Sequence, residues 1–143
     1  MRTLILASLL GLAAAPALAA DGPQGVWLVQ DQTAKVHIGP CAARADELCG
    51  EIVWLRAPTD ETGQLKHDAF NPDPRLKARP LVGLTMIRDF KPVSPGKWEG
   101  GKIYDPRSGK TYNSKMQLKS DGTLRVDGCI AMFCQGQIWR RTS

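Results

Sequence analysis

Two histidines, fourteen acidic residues and four cysteines are the material from which chemistry would have to be built. His67 stands beside Asp68, and a His–Asp pair can tune a general base. Neighbours within a loop usually solvate separately, and no partner nucleophile can be named for them. His37 alternates with Val36 and Ile38, which turns it to solvent. Hydrolysis by two carboxylates needs acids on opposite sides of a substrate. Asp68, Asp73 and Asp105 are candidates, but Asp73 reads as a helix cap and Asp105 as a turn residue. Ser108-Gly109-Lys110-Thr111 lacks the upstream glycine and the following helix of a phosphate-binding loop. No nucleophile, base and oxyanion site assemble, so the expectation is a non-enzymatic protein without a cofactor.

The cysteines are Cys41, Cys49, Cys129 and Cys134. Seven and four residues separate the members of each near pair, which departs from the C-x2–4-C spacing of a zinc site. An even count in an exported chain points instead to disulfides. Three pairings are open, and Cys41–Cys49 with Cys129–Cys134 is favoured because each brackets a turn between two strands. Each bridge is worth about 2–3 kcal/mol for loops this short.

Apolar residues with polar handles are the better prospect for a site. Trp54, Trp98, Tyr104, Tyr112 and Met116 are the candidate lining of a ligand pocket, with core packing as their alternative role. Tyr112 and Met116 share the apolar face of one strand. Ile130-Ala131-Met132-Phe133 is an unusually apolar stretch between two cysteines. It is expected to fold over the end of the domain, the alternative being contact with a partner or lipid.

The elements that must position these residues are short strands. Trp98 to Leu118 reads as a hairpin turning at Asp105-Pro106-Arg107-Ser108-Gly109. Its returning arm puts Tyr112, Ser114, Met116 and Leu118 on one face. Further strands are expected at Val26–Gln30, Ala34–Gly39, Gly50–Leu55, Leu84–Phe90, Thr123–Ile130 and Gln135–Arg141. Eight strands with short connections and no long amphipathic helix predict an all-β fold, a small antiparallel up-and-down barrel whose closure removes exposed edges. A two-sheet sandwich is the structural rival. One connection, Arg56 to Gly83, is long enough to be functional. Asp68, Asn71, Asp73 and Arg79 mark it as a candidate lid over one mouth, with a helical turn from Pro74 to Ala78.

Residues 1–19 read as a secretory signal peptide: Arg2, an apolar run from Leu4 to Leu12, and Ala17-Leu18-Ala19 before the cut. The run is too short to span a membrane, and no later stretch approaches that length. Residues 20–143 then form one domain. The net charge of +5 is dispersed, without the basic tract of a nucleic-acid binder. Nothing in the sequence fixes an oligomeric state.

Two groups of residues carry a family resemblance. Gly25-Val26-Trp27 at the start and Trp139-Arg140-Arg141 at the end resemble the G-x-W and closing arginine of lipocalin-like barrels. The resemblance implies that Arg140 lies over Trp27 and closes the bottom, worth about 0.5–2 kcal/mol. Asn71-Pro72-Asp73, Arg79-Pro80-Leu81, Gly83-Leu84, Gly100 to Pro106, Ser108 to Tyr112 and Leu124-x-Val126-x-Gly128 together resemble the small exported bacterial proteins of domain of unknown function 2147. That resemblance covers about Gly25 to Arg141. It implies an exported lipocalin-like barrel and brings no catalytic residue with it.

The function expected is non-enzymatic binding of a small apolar or amphipathic ligand in the periplasm or beyond. The alternative is an interaction module that binds cell wall, an outer-membrane component or a protein through its outer surface.

Overall fold

The computed structural model describes residues 22–143, so the expected signal peptide lies outside the described residues. Within them the strands are β1 (Gly25–Leu28), β2 (Ala34–Pro40), β3 (Leu48–Leu55), β4 (Thr85–Ser94), β5 (Lys97–Asp105), β6 (Lys110–Leu118), β7 (Leu124–Ile130) and β8 (Phe133–Thr142). Each pairs antiparallel with the next, and β1 pairs with β8. The sheet is therefore a closed barrel, which excludes the sandwich.

Alternation along each strand divides interior from exterior. On β7, Leu124 and Val126 are buried inside while Arg125 faces out. On β8 the ladder places Gln135, Gln137 and Trp139 level with the inward Gly128, Val126 and Leu124. One half of the barrel is solid, packed by Trp27, Ile38, Phe90, Met116, Leu124 and Trp139. Gly101 makes this packing possible, because a Cβ there would lie 2.5 Å from the Phe90 ring.

That solid end is sealed by the first strand and the last. The indole of Trp27 donates to the Pro23 carbonyl at 2.7 Å. A guanidinium lies 4.4 Å from its ring centre, but it belongs to Arg141, not to Arg140. The correction follows from the register: Trp27 pairs with Arg141, and the period of two that turns Trp139 inward turns Arg140 out. Arg141 also donates to the carbonyls of Gln24 and Gly22, at 2.7 and 3.0 Å. Gly25 is required beneath it. Its φ is +123°, and a Cβ there would lie 2.9 Å from the Arg141 Nη1. Arg141→Ala is expected to lower stability by about 1–2 kcal/mol, whereas Arg140→Ala leaves the urea midpoint within error of the parent. Equal effects of the two substitutions would contradict the register.

Both disulfides form as expected, Cys41–Cys49 across the β2–β3 connection and Cys129–Cys134 across the β7–β8 hairpin. All four sulfurs are thus committed, which removes the zinc alternative. His37 is exposed, as its alternation predicts. Between β3 and β4 the predicted helical turn is a single 3-10 turn at Pro74–Leu76, capped by Asp73, whose carboxylate accepts from the Arg75 N–H at 3.0 Å. Two isolated bridges, Thr59 with Leu65 and His67 with Pro80, give the long connection a backbone of its own.

The hairpin tip departs from expectation. Ile130, Met132 and Phe133 are 68%, 86% and 78% exposed, so the tip projects and does not fold over the barrel. Ile130 pairs directly with Phe133, leaving Ala131 and Met132 as a two-residue turn clamped at its base by the disulfide. A turn that short has no chain to bend back with. Ala131 holds φ +52°, the left-handed region that a turn of this kind normally fills with glycine.

Candidate functional site

Opposite the Trp27 seal the barrel is open. A cavity of about 740 Å³ enters there, lined inside by Met86, Ile103, Tyr112, Val126 and Gly128 and topped by the amides of Gln135 and Gln137. Gly128 creates much of this room: it faces inward between Ser114 and Gln135, where every larger residue would fill the space. A second recess of about 300 Å³ adjoins it, walled by Val29, Ala34, Ile52, Leu55 and Leu81. Met86, Gln137, Asp31, Asp105 and Arg107 border both.

The boundary between the two is an ionic strap. Arg107, in the β5–β6 turn, reaches Asp31, in the β1–β2 turn, with Nη1 to Oδ2 at 3.2 Å, while its Nε lies 3.3 Å from Asp105. Those turns join strands four places apart in a ring of eight, so the pair crosses the mouth. Partial burial raises the Asp31 carboxyl, but the Thr33 hydroxyl and N–H, with Arg107, outweigh it and hold the carboxyl below its usual value. Both partners are substantially exposed, so the strap is worth at most about 1 kcal/mol and opens without disturbing the barrel.

Beside the mouth lies the long connection, and its polar residues converge. Asp68 is fully buried. Its carboxylate accepts from the Tyr104 hydroxyl at 2.5 Å, the Asn71 amide at 2.8 Å and the Arg79 Nε at 2.9 Å. The Asp68 N–H donates to the Arg79 carbonyl at 3.0 Å. Asn71 passes the order on by accepting from the Asp73 N–H at 2.8 Å. The stretch is pressed onto the β5–β6 turn at Gly109, where a Cβ would lie 1.9 Å from the Phe70 carbonyl and φ is +72°. Only glycine fits there. Asn71, Asp73, Arg79, Tyr104 and Gly109, though not Asp68 itself, belong to the segments that carry the family resemblance, so the resemblance marks the partners of a staple between loop and barrel.

Burial first, then the Asp68 carboxylate, pushes the Tyr104 hydroxyl up to about 12. The neutral form is thus favoured in the folded state above the unfolded value near 10. Stability from this contact is complete below pH 10 and is lost as pH rises through about 12. Urea midpoints measured between pH 9 and pH 12 (roughly the span of the two states' values) should fall more steeply for the parent than for Tyr104→Phe. Identical slopes would remove Tyr104 from the account.

The expected pocket residues separate. Tyr112 lines the cavity, as its strand period predicts, and Tyr104 borders it with its hydroxyl committed to Asp68. Met116 is on the same face as Tyr112 but only 2% exposed, two inward positions deeper in the solid half. Trp98 pairs with Met116 and packs against that same core, away from the cavity. Trp54 is 39% exposed and stands under the Lys35 ammonium, 5.4 Å from it. A register shift between Lys35 and Val36 pairs Lys35 with Trp54 and Val36 with Ile52, breaking the alternation that would have turned Trp54 inward.

The lid expectation is also corrected. No residue of the long connection lines the larger cavity among the described residues; Arg56, Ala57, Lys66 and Leu81 wall the smaller recess. Its polar residues are held to the side of the barrel, so Asp68, Asn71, Asp73 and Arg79 secure a wall. The three acids weighed for chemistry are occupied structurally: Asp68 in the staple, Asp73 as a cap, and Asp105 accepting from the Arg107 N–H at 3.0 Å in its turn. Residues not anticipated are Met86, Gln135, Gln137, Asp31 and Arg107. The alternation Gln135, Gln137, Trp139 was a usable signal for the first two amides. The Arg107–Asp31 pairing, 76 residues apart, had none.

Among solved structures, this fold is similar to the protein HP1028 from the human pathogen Helicobacter pylori, described as belonging to the lipocalin family. The two are 21% identical with a TM-score of 0.72, over 84% of this chain and 82% of that one. No curated protein matches the chain. The family model described as an uncharacterized protein conserved in bacteria, DUF2147, matches residues 25–141, from the glycine under Arg141 to Arg141 itself. Trp27 and Arg141 of the sealed end, the staple and the open mouth all fall inside that match, and the chain is a member of the DUF2147 family.

Proposed function

We propose that this protein is a non-enzymatic carrier, exported to the periplasm or beyond, that holds a small apolar or amphipathic molecule in the open half of its barrel. The cavity carries the reading. It is about 740 Å³, within the usual range of small-molecule sites, and it joins an apolar floor to a polar and charged rim that includes Gln30, Asp31, Asp105 and Arg107, which suits an amphipathic molecule. Met86, Ile103 and Val126 supply the apolar wall, while Tyr112, Gln135 and Gln137 supply polar anchors beside the charged Asp31 and Arg107. The likeness to a lipocalin supports the architecture, and two disulfides suit an oxidising compartment.

Native mass spectrometry of protein purified from its host envelope, followed by denaturation and extraction, tests the proposal. A stoichiometric small molecule released on denaturation is the expected result. A ligand-free mass, together with no binding of the apolar probe N-phenyl-naphthylamine, would overturn it.

A further inference from the structure

The projecting tip is built to be presented. A disulfide clamps it, a strained left-handed alanine turns it, and three large apolar side chains stand in solvent. Such exposure is unfavourable for a soluble barrel unless something covers it. We infer that the rim formed by Ile130, Met132, Phe133, Phe70 and Lys110 docks on an anionic lipid bilayer, with the mouth facing the membrane.

The observations favour a bilayer over a protein. The tip is convex and small, with an area on the order of 500 Å² from three side chains. A stable protein interface needs about 800 Å² from each partner. Shallow insertion into a bilayer has no such threshold, because a few apolar and aromatic side chains entering the acyl boundary suffice. Cationic and apolar groups also meet on this rim. The β6–β7 ladder ends with Asn113 opposite Cys129, and the exposed Lys110 opens β6 three residues before Asn113, at the same end of the barrel as the tip. The backbone carbonyl of Phe70, whose side chain is 66% exposed, lies against Gly109, the residue before Lys110. With Arg2 removed in the expected signal peptide, 18 basic against 14 acidic residues leave a net charge of +4, a dispersed excess that complements anionic headgroups. At the opposite end, the connections Ala42–Asp46 and Ser120–Gly122 contain no large apolar residue, and beside the β4–β5 turn a single one, Val93, is exposed.

Continuity with the cavity gives the docking a purpose. Ile130 and Phe133 line the upper wall of the cavity while belonging to the tip. A molecule dissolved in the bilayer would pass from lipid to barrel along these side chains without crossing water. This deepens the carrier reading by naming where the ligand is taken up, but the tip's geometry stands without that reading.

Co-sedimentation with phosphatidylethanolamine–phosphatidylglycerol vesicles is the test, with phosphatidylcholine vesicles alongside. The parent should bind the anionic vesicles. Met132→Asp, which alters a residue outside the cavity lining, should reduce partitioning about tenfold or more. Lys110→Gln should weaken binding several-fold and flatten its salt dependence. Tryptophan placed by Phe133→Trp should be quenched by brominated lipid. The inference is overturned if the parent stays in the supernatant, if Met132→Asp sediments like the parent, or if the tip instead mediates a dimer in vesicle-free solution. N-phenyl-naphthylamine binding without vesicles reports separately on the carrier reading. Loss of probe binding with vesicle binding intact sinks the carrier alone, and the reverse sinks the docking alone.

Discussion

Gly128→Phe should abolish binding of an apolar probe while leaving the barrel folded. The Gly128 Cβ position meets only ordinary contacts, 3.7 Å to Ile103 Cγ2 and 3.9 Å to the Tyr112 Cβ. Its φ is not among the positive values that penalise a side chain. An aromatic ring there therefore enters the strand without backbone strain and extends into the cavity that Gly128 borders. Removing a glycine from a strand restricts the unfolded chain, so the thermal midpoint should hold or rise, by up to about 1 kcal/mol in stability. Probe affinity should fall at least about tenfold, since a side chain's worth of apolar contact is lost. Titration fluorimetry beside a melting curve measures both. Unchanged affinity with the phenylalanine in place would mean that ligand sits elsewhere.

Asp68→Ala should be the most damaging polar substitution in the protein. Three donors converge on this fully buried carboxylate, and its removal strands the Tyr104 hydroxyl and the Asn71 amide. Arg79 is 38% exposed and can recover part of its solvation. The cost is set near the lower end for a broken buried ion pair, about 3 kcal/mol. Asp73→Ala, by contrast, removes only the cap of a single 3-10 turn and should shift the midpoint far less. Chemical denaturation of the two variants distinguishes them. Hydrogen exchange should show the 56–83 connection opening in Asp68→Ala while the β1–β8 seam keeps its protection, because the staple joins loop to wall and the seam does not depend on it. Equal destabilisation by both substitutions would reduce the staple to a surface contact.

The mutations that matter most for binding and for stability thus fall in different places. Gly128 borders the empty half of the barrel, and Asp68 sits outside the wall. The solid half, with Trp27 and Trp139 fully buried, supplies the platform for both. Because the cavity is at the far end from the Trp27–Arg141 seal, its contents can change without loosening the closure.

Strand periods and turn residues were sufficient for the strands, and cysteine spacing favoured the two disulfides, because each is a local property, whereas closure of β1 onto β8 is not. Alternation along β6 put Tyr112, Ser114 and Met116 on one face, and the structure keeps them there. Asp73 before Pro74 announced its capped turn in the same way. Everything that depended on register was left to the tertiary structure. A shift of one place decides between Arg140 and Arg141 over Trp27, and a bulge beside Lys35 decides that Trp54 faces solvent. Depth is likewise invisible along a strand: Tyr112 and Met116 share a face, but only Tyr112 lies beyond the level to which side chains fill the barrel. The staple and the strap join residues 36 and 76 positions apart, and no local pattern carries the energy of a contact that exists only once the ring of strands has closed.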